Sequence, residues 1–211
     1  MADFINTVDV LGDDALTDSI ITRKITEYCD NTVVTIGERA FYKCTALTKL
    51  DSPSATSIGE SAFEECGALA SVNVPSATSI GSSAFNACKK LITVTFPAVT
   101  SIGRIAFVNC TALKTVDFSA LNSFGDYVFN VCSALNTLIL RNTEKVASLA
   151  SAGVFDSTPI KAGTGYIYVP RTLVDSYKAA TNWSTYAARF RALEDYTVDG
   201  TTTGELDPTK I

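Results

Sequence analysis

The sequence predicts an α/β repeat solenoid: a right-handed stack of coils with short parallel strands, a 22-residue period and a helical cap at its C-terminal end. Three observations carry this. Phe41, Phe63, Phe85, Phe107 and Phe129 are spaced 22 residues apart. Cys44, Cys66, Cys88, Cys110 and Cys132 keep the same step, as do Leu47, Leu69, Leu91, Leu113 and Leu135. Upstream, Ile36-Gly37, Ile58-Gly59, Ile80-Gly81, Ile102-Gly103 and Phe124-Gly125 repeat in phase with them. So many positions in one register leave no room for chance.

The unit at residues 69–88 justifies each element in turn. Residues 69–74 alternate polar or small with apolar, which suits a short strand with Val72 and Val74 inward and Ser71 and Asn73 outward. Pro75 closes it, because proline cannot donate to a ladder; Pro53 and Pro97 do the same in neighbouring copies. The run at 77–80 reads as a second extended piece. Gly81 is expected to supply a turn at positive φ, and residues 83–87 to hold Phe85 at the coil centre in a helical turn. One such unit cannot bury its own apolar face, so the coils must stack, with Phe85 between Phe63 and Phe107.

The ends depart from the period. Residues 1–33 are read as an N-terminal cap or attachment segment, with Ile20-Ile21 and Ile25 as extended pieces over the first coil, and 34–170 as the repeats. Residues 166–170 (YIYVP) look like a final strand with its proline. Residues 171–195 read as a helical cap, in which Thr172 and Asp175 resemble a capping box. Leu173, Val174, Tyr177 and Ala180 give its first apolar face, and Trp183, Tyr186, Ala187 and Phe190 its second. Residues 196–211 form a polar tail or hairpin around Asp199-Gly200.

Composition narrows the chemistry. The 211 residues are 46% hydrophobic and 18% charged, with a net charge of −5. No basic cluster exceeds Lys89-Lys90, which argues against a nucleic-acid surface. No run reaches the roughly 18 apolar residues of a membrane span, so no membrane insertion is expected. The first residues carry no basic and apolar leader, which points to a virion-associated, leaderless cell-surface or cytoplasmic protein. Histidine is absent, removing the commonest general base and zinc ligand. The acidic pairs Asp13-Asp14, Glu64-Glu65 and Glu194-Asp195 are adjacent in sequence and point apart, unlike a glycosidase pair. No phosphate loop or nucleophile motif is present. The chain therefore reads as non-catalytic, with no cofactor and no metal.

Two ladders invite a site and are read as structural. One cysteine per coil lacks the paired spacing of a zinc site, and six free, mostly buried thiols are expected. The hydroxyls of Thr56-Ser57, Thr78-Ser79, Thr100-Ser101 and Asn122-Ser123 satisfy one another along an edge. The candidate partner-binding face is the outward strand surface: Lys49, Ser71, Thr93, Thr115 and Thr137 in one column, and Asp51, Asn73, Thr95, Asp117 and Ile139 in the next. Its residues vary between copies while the interior does not.

At I-G-x-x-A-F-x-x-C-x-x-L-x-x-V, over about residues 34–170, the sequence resembles the BspA-like family of leucine-rich repeats. The resemblance implies a curved solenoid used in adhesion and protein recognition, engaging a protein or glycan ligand on a cell surface or host through its concave strand face. The alternative it leaves open is a structural or host-recognition part of a phage tail or virion, with the N-terminal segment as a homo-oligomer contact.

Overall fold

The computed structural model describes residues 10–11 and 25–195. In chain order its strands are β1 (Val10–Leu11), β2 (Glu27–Cys29), β3 (Thr35–Ile36), β4 (Lys49–Asp51), β5 (Ser57–Ile58), β6 (Ser71–Asn73), β7 (Ser79–Ile80) and β8 (Thr93–Phe96). They continue as β9 (Ser101–Ile102), β10 (Thr115–Phe118), β11 (Ser123–Phe124), β12 (Thr137–Leu140), β13 (Ser148–Leu149), β14 (Tyr166–Val169) and β15 (Phe190–Ala192). All pairings are parallel, as a coil stack requires. The two-residue strands form one sheet, β1-β3-β5-β7-β9-β11-β13. The longer ones form two, β2-β4-β6 and β15-β14-β12-β10-β8.

A wall of turns closes each coil's third side and holds the phenylalanine file. Phe41, Phe63, Phe85, Phe107, Phe129 and Phe155 are wholly buried. Successive ring centroids lie 5.0, 5.3, 5.1, 5.5 and 5.7 Å apart, with planes inclined by at most 21°. That spacing follows the strand ladder's own, and stacked rings at such distances add to what their burial contributes. Tyr28 begins the file edge-on to Phe41 at 4.8 Å. The same coil carries Asp30, whose Oδ1 accepts the Thr32 amide at 2.8 Å and its hydroxyl at 2.7 Å. Burial works to raise the Asp30 carboxyl, but these bonds, with others from Val33 and Tyr28, hold it below the usual range.

The turn wall corrects two expectations. Residues 83–87 form no helical turn. Their N–H groups alternate: Ser83, Phe85 and Ala87 donate to Arg104, Ala106 and Val108 of the next coil, while Asn86 and Cys88 close turns on Ser83 and Phe85. A helix would aim every N–H along its own axis, whereas the alternation requires periodic left-handed residues. They occur twice per coil, at Arg39, Lys43, Ser61, Glu65, Ser83, Ala87, Ile105, Asn109, Tyr127 and Val131, with φ between 51° and 62°.

Gly81, conversely, has no positive φ. A Cβ there would meet the Gly59 carbonyl carbon at 2.5 Å and the Glu60 nitrogen at 2.6 Å. Glycine stands at that position because backbone crosses backbone, not because the chain turns left-handed.

The ladder reaches N-terminal of residue 34. Glu27–Cys29 pairs with Lys49–Asp51, 22 residues on, and Val10–Leu11 with Thr35–Ile36. Ile25 packs on the core; Ile20-Ile21 and Asp199-Gly200 lie outside the described residues.

At the other end, helix α1 (Pro159–Ala162) precedes β14, and helix α2 (Val174–Ala179) follows a 3-10 turn at Arg171–Leu173. Neither Thr172 nor Asp175 caps α2: its N-cap is Leu173, without a side-chain bond, because the 3-10 turn runs straight into it. The Arg171 amide is instead taken by Glu194 at 2.9 Å. Tyr177, Trp183, Tyr186 and Phe190 are buried against the last coil.

Candidate binding face

The longer strands position the candidate face. Register aligns Glu27, Lys49 and Ser71 in one column, and Thr93, Thr115, Thr137 and Tyr166 in its continuation. Beside it run Cys29, Asp51 and Asn73, then Thr95, Asp117, Ile139, Tyr168 and Arg191. Inward residues alternate with these and are buried at Leu50, Val94, Val116, Leu138 and Ile167.

Ser71, Asn73, Thr93 and Thr95 are exposed, and Lys49, Asp51, Thr115, Asp117 and Thr137 are half-buried. Ile139 departs from the expected face: it is fully buried with Tyr168, under Tyr166 and Leu193, because the cap folds over that end of the sheet. Sequence reasoning missed Tyr166 and Tyr168, which follow Thr137 and Ile139 by 29 residues instead of 22, and Arg191, which follows Tyr168 by 23. It also missed Glu27 and Cys29, which a 22-residue step back from Lys49 and Asp51 would have found.

The polar groups fall into two kinds. Some are spent within the chain. Asn73 donates to Asp51 at 2.8 Å, and Lys49 sits 3.5 Å from the same carboxylate. The Cys29 sulfur and then Asp51 hold the Lys49 ammonium above its ordinary range. Arg141 grips Asp117 with both Nε and Nη2, at 2.8–3.0 Å. Thr137 donates to Asn136 at 3.0 Å. At the C-terminal end the Arg191 guanidinium stacks 4.3 Å over the Tyr166 ring.

The hydroxyls of Ser71, Thr93, Thr95 and Thr115 are of the other kind, without a hydrogen bond among the described residues. The two-residue sheet offers a contrast. Just before its strands, Thr56, Thr78 and Thr100 each donate to a carbonyl of the coil before, at 3.1 Å. Those hydroxyls stitch coils together and have no proton left for a ligand.

The cysteine ladder is also spoken for. The thiols of Cys66, Cys88, Cys110 and Cys132 donate to the carbonyls of Phe41, Phe63, Phe85 and Phe107 at 3.0–3.3 Å. All six cysteines are free, and only Cys29 is exposed. Cys66 is raised above the ordinary thiol range first by its bond with Cys44 and then by burial; Cys88 and Cys110 are raised chiefly by burial. Among the described residues no cluster of three metal-ligating side chains exists, and no helix is long and apolar enough to cross a membrane.

A coil stack of this kind, with a regular strand surface, defines a repeat module of the protein-interaction class. Residues 11–136 and 56–164 match the BspA type Leucine rich repeat region, in six copies, and the chain belongs to that family. Its members are typically non-enzymatic. Among solved structures the chain is similar to a leucine-rich repeat protein of T. pallidum, at 26% identity and a TM-score of 0.63, over 79% of this chain and 74% of that one. It is also similar to a leucine-rich repeat protein of Bacteroides ovatus (28% identity, TM-score 0.57, 76% of this chain) and spans 42% of that protein's length. A leucine rich cell surface protein of Faecalibacterium prausnitzii is 29% identical with a TM-score of 0.51, over 64% of this chain and 44% of that one. No curated protein matches the chain.

Proposed function

We propose that the chain is a recognition or adhesion module that engages a protein ligand on a cell or host surface through its outward strand face, with Ser71, Asn73, Thr93, Thr95, Thr115 and the flanking Tyr166 and Arg191 at the contact. The observation that carries this reading is the set Ser71, Thr93, Thr95 and Thr115 on the longer-strand face, whose hydroxyls keep donor and acceptor for a partner, whereas those of Thr56, Thr78 and Thr100 beside the two-residue strands are consumed between coils. The cell-surface setting rests on the name of the F. prausnitzii protein.

The test is surface plasmon resonance of the purified chain on a panel of immobilised extracellular host proteins. The double variant Thr95→Arg/Thr115→Arg places two long charged side chains on the face, and Ser79→Arg/Ser101→Arg does the same on the other sheet. Binding should fall at least about tenfold in the first and stay within about twofold in the second, as expected where few residues dominate a contact. Equal losses in both, or none in either, would sink the reading.

A further inference from the structure

The three-stranded and five-stranded sheets are neighbours on one wall, yet no backbone hydrogen bond joins β6 to β8. Elsewhere along this wall the series is regular. Thr48 donates to Thr26 at 2.7 Å, Ala70 to Thr48 at 2.9 Å, Lys114 to Ile92 at 2.8 Å and Asn136 to Lys114 at 3.2 Å. The missing member is Ile92 to Ala70. A second series, Asp30 to Asp51 and Ser52 to Asn73, both 2.9 Å, stops where Val74 would reach Thr95.

The same two coils stay joined on their other walls. β7 pairs with β9 in register, and Gly103 donates to Ile80 at 2.8 Å. In the turn wall Phe85 donates to Ala106 and Ala87 to Val108, each at 2.8 Å. Two walls are therefore closed and one is open.

A step in side-chain size falls at the same place. The inward column at the end of these strands reads Asp30, Ser52 and Val74, then Phe96, Phe118 and Leu140. Phe96 lodges its ring 6.2 Å from Phe85 and 6.1 Å from Phe107. Strands lengthen from three residues to four at the same place. In the inward column Val72 is only partly buried, whereas Leu50 before it and Val94 after it are buried.

We infer that the seam between β6 and β8 is a hinge, about which the coils before it and those after it swing as two rigid stacks. The unbonded wall opens and closes while β7–β9 and the turn wall hold the axis. Such a joint needs only an element with few bonds to break. Because Ser71 and Asn73 lie on one side and Thr93 and Thr95 on the other, the curvature of the strand face is adjustable, and a ligand spanning the seam selects one curvature.

Double electron–electron resonance on the full chain tests this, with Cys29→Ser to leave no exposed native thiol. Spin labels at Ser71→Cys and Thr115→Cys span two coils across the seam; labels at Thr93→Cys and Thr137→Cys span two coils on one side of it. The across-seam distance distribution should be at least about twice as broad as the other, the signature of a local joint. Equal widths would overturn the hinge. Two further variants move the step itself. Val74→Phe shifts it one coil towards the N-terminus, outside both label pairs, and Phe96→Val shifts it one coil towards the C-terminus, to between positions 96 and 118, inside both. The folded Val74→Phe variant should narrow the across-seam distribution to the 93/137 width, and the folded Phe96→Val variant should broaden the 93/137 distribution to the across-seam width. Distributions unchanged in either folded variant would refute the size step as the cause.

Discussion

Left-handed backbone at Ser61, Ser83, Ala87 and Asn109 is borne by small or locally bonding side chains, but Ile105 and Val131 are β-branched and share the same φ region. A branched Cβ there crowds the following carbonyl, at a cost of roughly 1–2 kcal/mol. The fold imposes it because the alternation of N–H directions recurs in every coil. Val131 is 37% exposed, so little burial is lost on replacing it. Val131→Asn should therefore stabilise the protein by about 1 kcal/mol in thermal or urea denaturation, and a lowered melting temperature would contradict the strain argument. The thiols supply a second residue-scale prediction. Cys66, Cys88 and Cys110 titrate above their unfolded value of about 8.5. Below that pH both states hold the proton and stability is full. Above it the unfolded chain loses protons that the folded chain keeps, so stability falls by roughly 1.4 kcal/mol per pH unit for each thiol. Urea midpoints under reducing conditions should decline steadily from about pH 8.5 upward; a flat profile to pH 10 would mean the thiols are not held protonated.

The glycine series shows what an element can and cannot reveal in advance. Position 81 and its equivalents were legible as required glycines, and the phenylalanine file, strand alternation and closing prolines were legible with them. The reason for the glycine was not, since a one-dimensional pattern records that a side chain is forbidden without saying what forbids it. The obstacle at Gly81 is the backbone of Gly59 and Glu60, residues of the coil before. Gly81→Ala should consequently destabilise by about 1–3 kcal/mol through forced separation of coils. Gly67, where an added Cβ meets nothing within 4 Å, is the control, and Gly67→Ala should be nearly neutral. Equal melting temperatures for the two variants would refute the close approach. The turn wall escaped the sequence for a related reason. Its bonds run between residues 21 apart, as from Phe85 to Ala106, and local propensity carries no trace of them. On the candidate face, period alone located the columns but could not foresee that the cap buries Ile139, or that insertions shift Tyr166 into line with Thr137.

At the scale of the whole molecule each coil is held only by its neighbours, so the ends decide whether the stack survives. The two-residue sheet ends at β13, an edge whose backbone groups meet no further strand among the described residues. The cap meets them with side chains. The Ala147 amide donates to the Tyr177 hydroxyl at 3.0 Å, and the Trp183 indole donates to the Ala147 carbonyl at 2.6 Å. Asn182 donates to Leu149 at 2.9 Å, and the Tyr186 hydroxyl to Ala152. Burial pushes the Tyr186 phenol up to about 12, with Asp156 adding to the effect, so these hydroxyls stay protonated at any physiological pH. Aromatic residues suit the task because one side chain fills the open core and carries a polar atom to the edge. Tyr177→Phe keeps the ring and removes only the acceptor, leaving the buried Ala147 amide unsatisfied at a cost of about 1–3 kcal/mol. Because coupling runs between neighbours, that loss should be felt first nearby. Hydrogen exchange should quicken at the Ser148 and Ala150 amides, which bond to Asn122 and Phe124, before it quickens at Phe85, which bonds to Ala106. Uniform acceleration along the chain would show one cooperative unit instead of a coupled series, and no acceleration would show that the tyrosine hydroxyl contributes nothing to closing the stack.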